Sequence, residues 1–211
     1  MNCKDLAMLI QTRAKGPGRF LVALAGPPAS GKSTLAADLA AALGKGARVV
    51  PMDGFHYDDA VLQARGLRSR KGAPETFDVH GFLHQVRRLR DEEEVAIPIF
   101  DRRLEISRAG ADIVGPDDRI LIVGGNYLLL DDAPWCQLAP LFDLTVFLDV
   151  PEAELIRRLT DRWHHHGKTE AAAQDWIASN DLPNALTVIT RSQPADHSAP
   201  APKPSQAIRC W

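Results

Sequence analysis

The sequence has few of the features that mark disulfide-rich, membrane or nucleic-acid-binding proteins. Its three cysteines, Cys3, Cys136 and Cys210, are odd in number and widely spaced, which argues against a disulfide framework and a zinc site. A long apolar run and a secretory signal are both missing. The net charge is only −2, which gives no reason to expect nucleic-acid or membrane binding. We therefore expect a cytoplasmic protein with neither kind of partner.

What is present is enough apolar sequence for one folded domain. The chain has 211 residues, of which 45% are hydrophobic, so a sizeable core is feasible. We predict one domain over residues 1–192, beginning with a helix and linker over 1–18 that Gly16-Pro17-Gly18 terminates. From Gln193 the composition turns to Pro, Ala and Ser, which predicts a disordered tail over residues 193–211.

Short apolar runs alternate with helical patterns along the domain. The predicted strands cover residues 20–25, 48–52, 119–123 and 144–148, with a candidate fifth strand at 186–189. A helix is predicted to start within residues 31–34 and to end at Gly44, because Leu35, Leu39 and Leu43 share one face. This alternation predicts an α/β fold with a parallel sheet and helices on both faces.

A glycine-rich loop joins the first predicted strand to that helix. Residues 26–34 match the pattern G-x-x-x-x-G-K-[ST] between a strand and a helix, the context in which such loops bind phosphate. Loop N–H groups would bind phosphate oxygens, Lys32 would reach the β- and γ-phosphates, and the Ser33 hydroxyl would ligate Mg²⁺. We predict ATP and Mg²⁺ as cofactors and assign nucleotide binding to Gly26, Pro27, Pro28, Ala29, Ser30, Gly31, Lys32, Ser33 and Thr34.

Acidic and basic residues follow the second predicted strand. Asp53 stands at its end, where it could accept a proton from an acceptor hydroxyl, help to hold the metal, or simply cap a helix. Residues 62–78 form a long segment rich in Arg and Gly, either a solvated loop or a contact for an anionic or polyhydroxyl substrate. Asp101 and Arg102 follow an apolar stretch, and a surface ion pair is the simpler interpretation of them.

Several ordered motifs together resemble the phosphoribulokinase/uridine kinase family. The similarity is greater to the branch that contains bacterial pantothenate kinase and kinases provisionally assigned to fructose transport systems. It covers most of the chain from about residue 20 to 189, and its motifs are residues 26–34, 52–56, 70–78, 98–102, 125–129 and 180–185. The resemblance implies a P-loop NTPase fold, a three-layer αβα sandwich with a mostly five-stranded parallel sheet and a small lid.

The resemblance also implies transfer of the ATP γ-phosphoryl group to a hydroxyl of a small metabolite, which would be the main partner. Asp53 would be the general base and a metal ligand beside Ser33. The acceptor would contact residues of an insertion over 53–102 and of the third strand's end, namely His56, Lys71, Asp101, Arg102, Asn126 and Tyr127. In a lid over residues 155–180, Arg158 would bind nucleotide and Arg162 would stabilise transition-state charge.

One departure from the family pattern bears on catalysis. The third strand of the family usually ends in an acid before Gly-Asn-Tyr, and here Gly124 occupies that position. An alternative is therefore a nucleotide-binding regulator or degenerate kinase with little turnover. An ATPase that drives a partner protein is a third reading, against which the small-acceptor motifs argue. The identity of the acceptor (sugar, nucleoside or pantothenate-like compound) and a homodimeric state stay open.

Overall fold

The computed structural model describes residues 1–202 and is built on a parallel β-sheet. Most strands are formed by short apolar or β-branched runs, and glycine- and proline-containing segments form many of the turns. The strands are β1 (Phe20–Ala25), β2 (Ala47–Pro51), β3 (Val95–Asp101), β4 (Ile106–Val114), β5 (Ile120–Gly125), β6 (Leu144–Asp149) and β7 (His197–Pro200).

Helices cover the sheet and connect its strands. They are α1 (Cys3–Arg13), α2 (Lys32–Leu43), α3 (Asp59–Ala64), α4 (Val79–Asp91), α5 (Glu152–His165), α6 (Glu170–Trp176) and α7 (Leu182–Arg191). A π-helical segment, Ile177–Asp181, joins α6 to α7. The predicted helices at the N-terminus and after the glycine-rich loop are both confirmed, and Gly44 closes α2 in a left-handed conformation at φ +76°.

The main sheet has five parallel strands in the order β2-β5-β1-β6-β7. This confirms the α/β fold with a five-stranded parallel sheet. Strand β1 lies at its centre, and Leu21, Val22, Ala23, Leu24 and Ala25 are all fully buried. Successive side chains of a strand point to opposite faces, so burial of all five shows that both faces are covered. Because the strands are parallel, their carboxyl ends meet at one edge of the sheet.

The predicted fifth strand at residues 186–189 is wrong, because these residues lie inside α7. Ala185 and Val188 are buried while Leu186 and Ile189 are exposed, which is a helical three-residue spacing. A four-residue apolar run does not by itself distinguish a buried strand from a helix. Pro183, at the start of α7, is also compatible with a first helical turn.

The fifth strand is β7, within the segment that was predicted to be disordered. His197–Pro200 pairs in parallel with β6, and Ala199 is buried against the core. The Asp196 carboxylate accepts hydrogen bonds from the Thr145 backbone N–H and hydroxyl, at 2.8 and 2.9 Å. The prediction of disorder from residue 193 is therefore wrong for this part of the tail, while residues 203–211 lie outside the described residues.

Strands β3 and β4 form a separate antiparallel hairpin beside the end of β2. The hairpin lies against the turn that follows β2, where the Ser107 hydroxyl donates to the Gly54 carbonyl. A Cβ atom at Gly54 would overlap the Pro98 carbonyl group, so this approach requires glycine. The hairpin thereby brings Asp101 and Arg102 toward the carboxyl edge of the main sheet. Over residues 1–202, none of the helices has the length and apolar character needed to cross a membrane.

Candidate active site

The glycine-rich loop between β1 and α2 forms a concave set of backbone groups. Gly26, Ala29 and Gly31 all have positive φ, at 155°, 61° and 96°. Alternation of left- and right-handed residues turns successive N–H groups toward one point, and the start of α2 carries no side-chain cap. Uncapped N–H groups at a helix start, with the positive end of its dipole, suit a phosphate group. The loop therefore fits the predicted triphosphate.

Lys32 lies within this loop. Its ammonium group donates to the carbonyls of Gly26 and Pro27, at 2.9 and 2.8 Å, and to the Ser30 hydroxyl at 3.3 Å. Burial lowers the pKa of Lys32 to about 7, although the nearby Asp53 carboxylate opposes the shift. These hydrogen bonds keep the lysine at the loop that would bind phosphate. Because its pKa is lowered, the lysine loses its proton easily until an anion binds nearby.

Asp53 lies in the short turn Met52–Phe55 directly after β2, as its position in the sequence predicted. Its carboxylate forms an ion pair with Arg102 from the hairpin. Burial would raise the pKa of Asp53, but Arg102, His56, Lys32 and Arg162 together lower it. Asp53 is therefore an ionised carboxylate in a cluster of cations, able to accept a hydrogen bond from a hydroxyl.

His56 packs beside this carboxylate. Its ring lies 4.0 Å from the ring of Phe77 and 4.9 Å from that of Phe100, and its Nδ1 lies 2.9 Å from the Asp53 carbonyl oxygen. Burial lowers the pKa of His56, and Asp53 opposes that shift. The imidazole is thus held by two tilted ring contacts and by a hydrogen bond between Nδ1 and a backbone carbonyl.

Lys71 lies in the predicted acceptor loop (residues 62–78). Its ammonium group forms ion pairs with Asp59 at 2.7 Å and Glu105 at 3.4 Å, and lies 5.1 Å from the centre of the Phe100 ring. Only 9% of the side chain is exposed. Lys71 thus joins α3, the acceptor loop and the hairpin, beside the ring that also packs on His56.

The other predicted acceptor residues differ in where their side chains lie. Asn126 is half-buried just beyond β5. Tyr127 is completely buried, and its hydroxyl donates to the Gly72 carbonyl at 2.6 Å, so it supports the acceptor loop from behind. The Asp101 carboxylate accepts from the backbone N–H groups of Arg103 and Leu104, which closes the hairpin turn. The structure therefore gives the side chains of Tyr127 and Asp101 supporting contacts with backbone groups.

Arg158 connects the lid to the phosphate loop. Its guanidinium donates to the Ser30 carbonyl at 3.1 Å and to the Pro202 carbonyl at 3.0 Å, while Glu154 accepts from Nε at 2.7 Å. Pro202 lies so close to Gly31 that a Cβ there would be 2.7 Å from the proline ring. The chain just beyond β7 thus reaches the nucleotide loop. This contact could not be predicted, because Pro202 lies in a low-complexity stretch.

Arg162 lies over the ring of Trp163, 5.0 Å from its centre. Burial lowers the pKa of Arg162 and Arg102 adds to this effect, whereas Asp181 and Asp53 oppose it. Its charge also affects the pKa of both Lys32 and Asp53, so it lies within electrostatic range of both groups. Arg157, by contrast, is exposed and pairs with Glu154 and Asp161 on the surface of α5.

Gly124 and Gly125 end β5 in very different surroundings. A Cβ atom on Gly124 would have nothing within 4 Å, whereas one on Gly125 would lie 2.7 Å from Met52 Cβ and Sδ. Gly124 pairs with Leu24, two residues before the phosphate loop begins at Gly26. There is therefore space at Gly124 for the acid that the family pattern usually has. Within residues 1–202, no group of three or more His, Cys, Asp or Glu side chains forms a metal cage.

A parallel sheet, a phosphate loop at its carboxyl edge and an arginine of α5 that contacts this loop are features of a P-loop nucleotide-binding protein of the kinase class. The model of the phosphoribulokinase / uridine kinase family matches residues 21–198. The chain belongs to this family, which confirms the resemblance found in its sequence.

Individual relatives agree with this assignment. The chain is 35% identical over 203 residues to "Uncharacterized protein YggC" of Escherichia coli, covering 90% of this chain and 82% of that protein. It is 35% identical over 187 residues to "Putative uridine kinase C227.14" of Schizosaccharomyces pombe, covering 82% and 79%. It is 29% identical over 216 residues to a pantothenate kinase of Mycobacteroides abscessus, covering 85% and 69%.

A solved structure shows the same fold over nearly the whole chain. It is described as a "putative fructose transport system kinase" from Silicibacter sp. TM1040, and it is 47% identical with a TM-score of 0.91. The match covers 95% of this chain and 100% of that one. The names of these relatives include different acceptors, so they support phosphoryl transfer more firmly than any one substrate.

Proposed function

We propose that this protein is an ATP-dependent kinase that transfers the γ-phosphoryl group to a hydroxyl of a small metabolite. The observation that carries the proposal is the position of Asp53. Its carboxylate stands at the end of β2, is paired with Arg102, and lies close enough to Lys32 for the two charges to affect each other's pKa. A carboxylate beside a phosphate loop is placed to orient an attacking hydroxyl.

In the proposed reaction, the acceptor oxygen attacks the γ-phosphorus of ATP while the bond to the β–γ bridging oxygen breaks. Asp53 accepts the hydroxyl proton, and ADP is the leaving group. Lys32 exchanges its hydrogen bonds with the carbonyls of Gly26 and Pro27 for contacts with the β- and γ-phosphates. Arg162 faces the same centre, where its charge would stabilise the transferring group.

The residues present also suit a magnesium ion carried in with ATP. Ser33, in the first turn of α2, and Asp53 would hold it together with phosphate oxygens and water, since Mg²⁺ prefers oxygen ligands and readily keeps several waters. When bound, Mg²⁺ would neutralise part of the phosphate charge. Gly124 supplies no carboxylate to this site, which would leave turnover more dependent on the Mg²⁺ concentration.

The acceptor side combines cations with aromatic surfaces. His56, Lys71 and Arg102 surround Phe100, with ring-to-charge distances of 5.1 Å for Lys71 and 5.8 Å for Arg102. Asp59 and Glu105 hold the Lys71 ammonium group from the other side. Such a surface suits an acceptor that offers several hydroxyls or a carboxylate as well as some apolar area. Sugars, nucleosides and pantothenate-like compounds all meet this description.

The test is acceptor-dependent ADP release across a panel of hexoses, nucleosides and pantothenate, with Mg·ATP as donor. We expect one chemical class to stimulate ADP release well above the acceptor-free rate. Lys32→Ala should abolish the stimulation and weaken ATP binding measured by calorimetry, because it removes the cation that contacts both terminal phosphates. Lys45→Ala, two residues beyond the end of α2, is the control with the same loss of charge. Equal stimulation by Lys32→Ala and wild type would contradict the proposed role of the loop.

A further inference from the structure

A network of aromatic and charged side chains fixes the lid around Trp163. The Trp163 indole N–H donates to the Asp181 carboxylate at 2.6 Å. Lys168 lies 5.1 Å from the ring centres of both Trp163 and Trp176, and these two rings meet edge to face at 5.8 Å. Cations over indole rings attract them electrostatically, and the attraction strengthens where water is excluded. Trp163 is therefore held on several sides and has little freedom to rotate.

Arg162 depends on this indole for its own position. Its guanidinium packs over the Trp163 ring at 5.0 Å, on the ring that Asp181 fixes by its edge. Within the described residues, Arg162 forms no ion pair within 4.0 Å. The ring contact is thus the main support given to this side chain. A change in the orientation of the indole would move the charge that faces Asp53 and Lys32.

Asp181 comes from the π-helical segment Ile177–Asp181, and its neighbour contacts a different part of the site. The Asn180 side-chain amide donates to the Lys71 carbonyl at 2.9 Å, in the acceptor loop. Both residues are buried, at 2% and 7% exposure. π-Helical turns shift successive side chains relative to an α-helix and recur at functional sites. Here one turn directs adjacent residues to the lid and to the acceptor loop.

We infer that Asp181 and Trp163 are positioning residues for Arg162. The π-helical segment aligns Arg162 with the acceptor loop, because Asp181 contacts Trp163 while the adjacent Asn180 contacts that loop. This inference rests on the proposed function, because it concerns how Arg162 is aligned for phosphoryl transfer. Misplacing a catalytic group by about 1 Å can slow a reaction by as much as about 100-fold. Ground-state binding of ATP through the phosphate loop does not need this alignment.

Two variants break the network at different points. Asp181→Leu replaces the acceptor of the indole hydrogen bond by an apolar side chain, and Trp163→Phe removes the donor but keeps a ring under Arg162. We expect each to lower kcat by roughly 10- to 100-fold with little change in the Kd for ATP. Asp181→Asn, which keeps an acceptor oxygen, should recover part of the loss. Asp161→Leu is the matched control, since it makes the same substitution at an exposed carboxylate of α5 that pairs with Arg157 on the surface, and it should retain wild-type kcat.

A double-mutant cycle tests whether Asp181 acts through Arg162. Asp181→Leu should have little further effect in an Arg162→Ala background, because the group it positions is already missing. Equal losses in both backgrounds would overturn the inference. So would unchanged kcat in folded Asp181→Leu and Trp163→Phe, or wild-type kcat in Arg162→Ala.

An NMR measurement decides the same point without turnover and so separates this inference from the proposed function. The Trp163 indole N–H signal, assigned by its loss in Trp163→Phe, should lie downfield and move upfield in Asp181→Leu. A non-hydrolysable ATP analogue should shift this signal in the wild type and not in Arg162→Ala. If no metabolite is phosphorylated yet these shifts occur, the proposed acceptor chemistry fails and the network stands. If the analogue does not shift the indole signal in the wild type, the inference is overturned.

Discussion

The phosphate loop and the lid direct cations toward the same centre by different physical means. The loop is formed by consecutive residues whose backbone conformations turn N–H groups inward, and its lysine bonds to loop carbonyls. The lid holds Arg162 through side-chain contacts among Trp163, Lys168 and Asp181. Groups positioned by the backbone keep their places when a nearby side chain is changed. A group positioned by side-chain contacts, such as Arg162, moves when one of those side chains is replaced. We therefore expect loop variants to affect nucleotide binding and lid variants to affect the rate of transfer.

Asp53→Asn should produce the largest change and should affect transfer without affecting the loop. Asparagine keeps the size of the side chain but cannot accept the acceptor's proton, so acceptor-dependent turnover should fall by roughly 10²–10⁴-fold. ATP affinity from calorimetry should change little. Asp58→Asn, an exposed helix-capping residue of α3, serves as the control. Wild-type turnover of the Asp53 variant with the right acceptor would contradict its role as base.

Ending the chain at Ala195 should destabilise the domain that contains both regions. This truncation removes β7 and the Asp196 carboxylate, exposes the edge of β6, and uncovers the core beside Ala199. We expect a loss of about 2–4 kcal/mol and a fall in Tm of several degrees. The matched chain ends at Pro202, and the difference between the two isolates residues 196–202. Equal Tm values for the two chains would show that β7 does not contribute.

The adjacent glycines at the end of β5 allow a comparison between a crowded position and an open one. Gly125→Ala should cost about 1–3 kcal/mol by forcing a Cβ against Met52, whereas Gly124→Ala should be nearly neutral. Denaturant unfolding of the two variants measures this difference directly. Similar losses at both positions would contradict the geometry.

The substitution Gly124→Glu tests whether the open position also affects catalysis. A carboxylate in the open space at Gly124 would add an oxygen ligand near Ser33, so we expect higher turnover at limiting Mg²⁺. Rates measured against Mg²⁺ concentration compare the variant with the wild type. Identical rates and identical Mg²⁺ dependence in a folded variant would show that the glycine does not limit the reaction.

The smallest expected effect is a proton taken up by Lys32 when ATP binds. The free lysine has a pKa of about 7, so at pH 8 it is mostly neutral. Phosphate charges favour the ammonium form and raise the pKa, so binding should take up on the order of one proton per site at pH 8 and none below about pH 6. Calorimetry in two buffers of different ionisation enthalpy counts these protons. Lys32→Arg, which stays charged, should show no uptake, and buffer-independent heats for the wild type at pH 8 would contradict the lowered pKa.

Local sequence predicts the loop side of the molecule well. β1, the glycine-rich loop and α2 are consecutive, and their apolar runs and glycines determine them without reference to distant residues. The position of Asp53 also follows from a local rule, because it ends a strand of a parallel sheet. The assignment of the chain to its family needed several such motifs in order.

Features that depend on distant contacts could not be predicted in this way. His197–Pro200 has no strand-like composition and becomes a strand because β6 offers an edge, where Pro200 is tolerated. Trp163 meets Asp181 and Arg158 meets Pro202 only after folding. Tyr127 and Asp101 carry polar groups typical of a binding site, yet their hydrogen bonds go to backbone groups of the acceptor loop and the hairpin turn.

The pairing of β7 with β6 has a consequence for how the protein is made. During synthesis the sheet acquires β1, β2, β5 and β6 in turn, and the outer edge of β6 is left unpaired until residues 197–200 emerge. An open strand edge can pair with other chains, so this interval is the one in which a nascent molecule is most prone to aggregate. The same step brings Pro202 against Gly31 and Arg158. Addition of β7 to the sheet and contact of Pro202 with the nucleotide loop therefore belong to one step in the folding of a newly synthesised chain.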